Sequence, residues 1–237
     1  MSRCSNISSW SNVLTTRTSL LDYGDFDFEG AENYIPRGGG CSFGDSAYLT
    51  DGASVGSGSL KRMTLNRERS VCRCEAGVTM GELHRFLASE DFSFPIYGGT
   101  QWATVGGSIA SDIHGKNHVM AGTFGNHVET ISLVTPLAGQ VTCGPDNHPN
   151  LFAATVGGMG LTGFIHAAEL KVVREASKTV RQTRLSFSTF DEMFERFDIG
   201  NDFQYASVFI LESPLHGFFF SGNFTGGSSA APASPFD

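Results

Sequence analysis

Apolar and polar positions alternate most cleanly through Val71-Cys72-Arg73-Cys74-Glu75. This two-residue period predicts a strand over 70–76, with Cys72 and Cys74 on one face. Thr79-Met80-Gly81-Glu82 follows with the spacing of a capping box, in which hydroxyl and carboxylate each satisfy a free N–H at a helix start. Leu83, Phe86 and Leu87 then recur at i, i+3 and i+4, so the helix carries an apolar face and ends before Phe94-Pro95. His84 falls on its polar side and reads as a surface residue. Val128 to Val134 reads as a strand, Ala138-Gly139 as its turn, and Gln140 to Cys143 as the returning strand. Asn150 to Thr155 suits a short helix, and Gly163 to Val173 is a strand rich in Ile, Ala, Leu and Val. Thr183 to Phe187 predicts another strand. A second capping box, Thr189 to Glu192, opens a helix through Phe197, and Phe203 to Leu211 reads as a last apolar strand.

Elsewhere the pattern is weak. Residues 1–30 are polar and read as a surface lead-in, and 31–76 as short strands around a glycine loop. Gly98 to Asn126 is too glycine-rich for any long element. Residues 226–237 form a low-complexity stretch expected to be a disordered tail. Strands and a helix, followed by strands and a helix, predict an α+β fold in place of a regular βαβ repeat.

Composition narrows the classes. The 237 residues are 40% hydrophobic and 17% charged, a globular balance with room for a sizeable core. The net charge of -8, without a basic stripe, argues against nucleic acid as a partner. No apolar run is long enough to span a bilayer and no signal peptide is recognisable at Met1, so the expected location is cytoplasmic or peripheral to a membrane surface. Cys4, Cys41, Cys72, Cys74 and Cys143 are an odd, scattered set, read as free thiols and not as a disulfide framework. No Cys or His pair stands at zinc spacing, and no metal is expected.

Eleven of the 29 glycines lie in three clusters. Gly158-Met159-Gly160-Leu161-Thr162-Gly163 matches G-x-G-x-x-G, but a helix precedes it and a strand follows, the reverse of a dinucleotide fingerprint. No acidic residue stands about twenty positions on, where a ribose ligand belongs. Gly115-Lys116 fails as a P-loop, because Ala110 and Asn117 replace the required Gly and Ser/Thr. The loop of Arg37, Gly38, Gly39, Gly40, Cys41, Ser42, Phe43, Gly44 and Asp45 can turn successive N–H groups inward as an anion nest, or serve as a plain tight turn. Residues 98–107 form a second candidate nest. Together these loops point to a phosphate-bearing cofactor held by backbone. His114, between Asp112 and Gly115, and Lys116 are the candidate catalytic side chains; His118 and His127 are weaker, and His148, His166 and His216 carry no constellation.

Residues 37–45, Gly99-Thr100, 104–107, 111–118, 122–127 and 154–163 resemble the FAD-linked oxidases of the vanillyl-alcohol oxidase / PCMH type, and within them the decaprenylphosphoryl-β-D-ribose 2-oxidases. The likeness covers about residues 35–175 and continues weakly to 225. It implies a PCMH-type FAD-binding domain of two α+β subdomains over 1–175 and the start of a substrate domain over 176–225. It implies non-covalent FAD, since Cys41 stands where covalent members carry their flavin-linked His, and Phe43 replaces a Tyr. FAD pyrophosphate would lie on residues 36–46. Gly99, Thr100, Thr104, Val105, Gly106, Gly107, Ser111, Asp112, Ile113 and His114 would line the flavin and ribityl chain. Gly163 and Ile165 would serve the adenine side, and Lys116 would reach toward a sugar.

The implied reaction is oxidation of a sugar hydroxyl by hydride transfer to flavin. The implied substrate is the 2-hydroxyl of a polyprenyl-phosphate-linked pentose, with a short-chain reductase as partner in an epimerase pair serving cell-wall synthesis. An alditol or aldonolactone substrate is the alternative in the same class. Relatives run to roughly twice this length, so a further expectation is a truncated chain, acting as a catalytically incomplete binding or assembly piece.

Overall fold

The computed structural model describes residues 3–12, 15–175, 177, 179–198, 204–211 and 215–225. Strands β1 (Arg3–Ser8) and β2 (Thr15–Asp22) form an antiparallel hairpin. β2 also pairs in parallel with β4 (Ala53–Gly56), whose other edge takes β3 (Tyr34–Arg37), for the order β1-β2-β4-β3. The expected lead-in over 1–30 is therefore an integral part of the first sheet. Its strands escape pattern reading because they are built from Ser and Thr. Thr18 is fully buried, and its Oγ1 lies 3.0 Å from Ser54 Oγ, so a hydroxyl pair fills a position that an apolar contact marks in other strands.

The chain continues through β5 (Met63–Asn66) and β6 (Val71–Glu75) to α1 (Met80–Ser89), β7 (Phe92–Ser93), α2 (Val105–Ala110) and α3 (His118–Ala121). Then come β8 (Val128–Thr135), β9 (Gly139–Cys143), α4 (Pro149–Thr155) and β10 (Phe164–Lys171). Their antiparallel sheet has the order β5-β6-β10-β8-β9. β11 (Val173–Arg174) turns off its end to pair with β7, so the strand expected to run unbroken from Gly163 to Val173 divides in two.

The first capping box forms as read: Thr79 Oγ1 accepts from Glu82 N–H at 3.2 Å and the Glu82 carboxylate accepts from Thr79 N–H at 2.7 Å. Leu83 and Leu87 are fully buried against the sheet with Cys72, Cys74, Ile131 and Leu133. Each such aliphatic burial contributes about 1.5–3 kcal/mol. Cys72 and Cys74 share one face as expected, with their sulfurs 3.4 Å apart. His84 corrects the sequence reading. Both ring nitrogens are buried and the imidazole stacks on Tyr97, centroids 4.2 Å apart. That burial outweighs the opposing Ile96 backbone and lowers its pKa to about 4. A residue at the edge of the apolar stripe was covered by a loop that helical periodicity does not register.

A third sheet, β12 (Val180–Phe187), β13 (Tyr205–Leu211) and β14 (His216–Phe224), has the order β12-β14-β13, with α5 (Phe190–Asp198) between β12 and β13 in sequence. In the second box Thr189 Oγ1 accepts from Glu192 N–H at 3.1 Å, while the Glu192 carboxylate reaches Ser188 N–H. β14 was not legible: its run Phe218-Phe219-Phe220 lacks alternation because a central strand carries apolar groups on both faces. This sheet joins the rest through Tyr97, whose ring lies edge-on to Tyr205 at 5.3 Å and Phe224 at 6.2 Å. The 226–237 stretch lies outside the described residues. Among those described, no helix is long and apolar enough to cross a membrane.

Candidate functional site

A cleft of about 700 Å³ lies where three distant segments meet: 36–47, 98–114 and 159–165. The first hangs from the end of β3. Arg37 donates from Nη1 to Ala47 O at 3.4 Å and places its guanidinium 5.0 Å over the Tyr48 ring. Gly40, at φ +68°, turns the loop back with its open side against that guanidinium, and a side chain there would collide with it.

The second segment is shaped by α2. Thr104 caps it, Oγ1 accepting from Gly107 N–H at 3.2 Å. Gly106 N–H donates to Ala76 O at 2.9 Å and anchors the helix on the end of β6. A Cβ on Gly106 would stand 2.8 Å from Ala76 Cβ, so only glycine lets α2 lie this close. A Cβ on Gly99 would meet no atom of the described residues within 4 Å, so this backbone faces open cleft.

The third segment follows α4. The turn at 157–163 donates from Gly157 and Met159 to Ile109 O and Ala110 O, which ties it to the end of α2. Gly160, at φ +81°, packs on Pro36. The G-x-G-x-x-G here sits between a helix and a strand, as its context predicted, and closes one side of the cleft.

Most of the sequence-selected residues line this space: 37–44, Gly99, Thr100, Thr104, Gly106, Gly107, Ser111, Asp112, Ile113, His114, Gly163 and Ile165. Three do not. Asp45 is exposed and lies outside the wall, its carbonyl accepting from Tyr48 N–H. Val105 is fully buried and belongs to the core, being the apolar side of the helix whose glycines face the cleft. Lys116 lines a second cavity of about 270 Å³, with Gln182, Tyr205, Ser207 and Phe220. The peptide between His114 and Lys116 thus runs from one cavity to the other. Gly115 is buried against Tyr97, and Lys116 O accepts from Ala206 N–H at 2.8 Å.

Asp112 spends its carboxylate on Gly125 N–H at 2.8 Å, holding the 124–127 turn under the cleft. His114 is exposed, paired through its backbone with Thr123, its ring 5.1 Å from that of His118. His118 Nδ1 and His127 Nε2 face the carbonyls of Gly115 and Ala121, which gives both a local structural role. Burial raises the Cys41 thiol pKa, with the Arg37 charge pulling the other way. Sequence reading missed Ser57 and Ala76, which lie outside every glycine-rich segment it singled out, and did not pick Ser108 and Met159 as wall residues although both lie inside such segments. The cleft can therefore take an elongated ligand: anionic groups against the loop of Arg37 and its glycines, and a planar group against small residues at 98–110.

The family described as an FAD binding domain matches residues 31–144. The chain is 36% identical over 178 residues to the decaprenylphosphoryl-beta-D-ribose oxidase of Mycolicibacterium smegmatis, which covers 69% of this chain and 38% of that relative. It is 32% identical over 107 residues to the D-lactate dehydrogenase of Archaeoglobus fulgidus, covering 44% of this chain and 24% of the relative. With the D-arabinono-1,4-lactone oxidase of Eremothecium gossypii it shares 25% identity over 128 residues, covering 54% and 24% respectively. The chain spans less than two-fifths of the length of these relatives.

Proposed function

We propose, from the match of residues 31–144 to the FAD binding domain family, that this chain holds FAD non-covalently in the cleft and serves an oxidoreductase acting on a CH–OH group. The observation that carries the reading is the convergence of three glycine-lined segments on one cleft. The fit is physical: side chains at Gly40 and Gly106 would collide with the walls, and Gly99 bares its backbone to the space. Loop N–H groups and Arg37 would hold the diphosphate. Gly99, Thr100, Thr104, Gly107, Ser111 and Ile113 would flank the flavin and ribityl chain, and Gly163 and Ile165 the adenine side.

FAD supplies the hydride acceptor. The protein's own part is to orient the substrate and move the hydroxyl proton. His114 at the cleft wall and Lys116 at the adjoining cavity are placed for this, with Gln182, Tyr205 and Ser207 offering polar contacts to a sugar. The second cavity brings Lys116 together with β12, β13 and β14, so it is the proposed substrate side. The substrate is the 2-hydroxyl of a polyprenyl-phosphate-linked pentose, supported by likeness to the ribose oxidase. A short-chain reductase is the proposed partner for the keto product. An aldonolactone or alditol is the second reading, supported by likeness to the lactone oxidase.

The test is a visible spectrum of the purified chain before and after FAD addition and gel filtration. A retained band that heat releases into solution is expected. A folded, monodisperse chain that retains no flavin refutes FAD binding by these residues alone. Lys116→Met is expected to leave the flavin band intact and to lower turnover of the lipid-linked pentose; loss of flavin in that variant contradicts the placement of Lys116 on the substrate side.

A further inference from the structure

The cleft wall contains a polar group whose chemistry the local fold does not use. Ser108 lies on α2, 0% exposed, and its Oγ has no hydrogen-bond partner among the described residues. Three other hydroxyls of the same wall are engaged: Thr100 Oγ1 accepts from Trp102 N–H, Thr104 Oγ1 accepts from Gly107 N–H, and Ser111 Oγ donates to Met159 Sδ. A helical Ser or Thr commonly satisfies itself on the carbonyl four residues back. Thr155 does so on α4, donating to Leu151 O at 2.7 Å. Ser108 does not, and Thr104 O already accepts the Ser108 N–H at 2.8 Å. Its neighbour Ile109 is fully buried in the core, so the helix turns one side to the sheet and presents residues 106–108 at the cleft. A buried hydroxyl without a partner is unfavourable and calls for one supplied from outside the chain.

We infer that the Ser108 hydroxyl is a cofactor-binding donor: it hydrogen-bonds an oxygen of the bound dinucleotide, completing a cradle with Arg37 and the N–H groups of the glycine loop. The inference rests on the reading of the cleft as an FAD site. It adds a side chain to which neither the glycine pattern nor the charge pattern pointed. The oxygen is a diphosphate or a ribityl oxygen, which share this acceptor chemistry.

The experiment titrates the 237-residue chain, wild type and Ser108→Ala, with FAD, riboflavin and ADP, and records the thermal midpoint of each ligand-free protein. Removing one donor is expected to raise the Kd for FAD about 5- to 10-fold. The ligand-free midpoint stays level or rises, because the lost hydroxyl had no partner to leave behind. Ser108→Cys, which keeps the volume and weakens the donor, falls between the two. An equal loss for ADP places the contact on the diphosphate, and a loss shared by FAD and riboflavin places it on the ribityl chain. An unchanged FAD Kd in Ser108→Ala, or a lower ligand-free midpoint with unchanged Kd, overturns the inference. Failure of the wild type to bind FAD overturns the reading of the cleft itself, and the Ser108 contact with it.

Discussion

Gly106→Ala tests whether close helix-on-strand contact builds the cleft. The new Cβ would stand 2.8 Å from Ala76 Cβ and 3.3 Å from Ala76 O. Carbon atoms sit best about 3.5–4.0 Å apart, so α2 must retreat by roughly 0.7 Å. Overpacking of this kind costs about 1–3 kcal/mol, and the better helix propensity of Ala returns up to about 1 kcal/mol. The net loss is about 1–2 kcal/mol, or a thermal midpoint lower by roughly 2–8 °C for a chain of this size. The same retreat carries Gly107 and Ser108 away from the facing loop, where a Cβ on Gly38 would lie 3.6 Å from Gly107 Cα. Losing one hydrogen bond to the bound dinucleotide costs about 0.5–1.5 kcal/mol, so FAD affinity should fall about 2- to 10-fold. Flavin fluorescence titration and differential scanning calorimetry read both effects. Gly99→Ala is the matched control: its Cβ touches no atom of the described residues, so ligand-free stability should stay within about 0.5 kcal/mol while FAD binds more weakly. Wild-type stability and FAD affinity in Gly106→Ala would refute the packing argument, and full FAD affinity in Gly99→Ala would refute the placement of flavin along that backbone.

The α1 cap should set part of the acid limit. Partial burial of Glu82 is outweighed by the Lys61 ammonium and by Thr79 N–H and O–H, which hold its pKa at about 2 against an ordinary 4.5. A depressed folded pKa stabilises above the unfolded value, and the contribution is lost as pH falls from 4.5 toward 2. With its side chain 38% exposed, solvent screening reduces that contribution to about 1 kcal/mol; urea titrations across this range should show it vanish in Glu82→Gln, and an unchanged acid slope would refute it. Among the cysteines with described side chains, Cys41 alone is not fully shielded, so a thiol reagent should modify it in the native protein while Cys72, Cys74 and Cys143 wait for unfolding. FAD should slow that reaction at least severalfold, because Cys41 lines the cleft; equal rates with and without FAD would place the ligand elsewhere.

Local chemistry was legible wherever one short segment settles the outcome. The capping box at Thr79, the alternation around Cys72 and Cys74, and the hairpin at Ala138-Gly139 depend on neighbours within a few residues, and each formed, while at Thr189 the hydroxyl half of the box formed and the Glu192 carboxylate went to Ser188 N–H. The glycine clusters likewise announced backbone that must approach something. Tertiary structure decided what they approach. Gly106 is needed because Ala76 lies beneath it, and Gly160 lies on Pro36 more than a hundred residues earlier in the chain. It also divided residues close in sequence, sending Val105 to the core and Gly106 to the cleft, and His114 and Lys116 to different cavities. The Ser/Thr strand β2, the Phe-rich strand β14 and buried His84 were hidden for the same reason: their burial comes from partners distant in sequence, and a one-dimensional pattern records only the residue's own polarity.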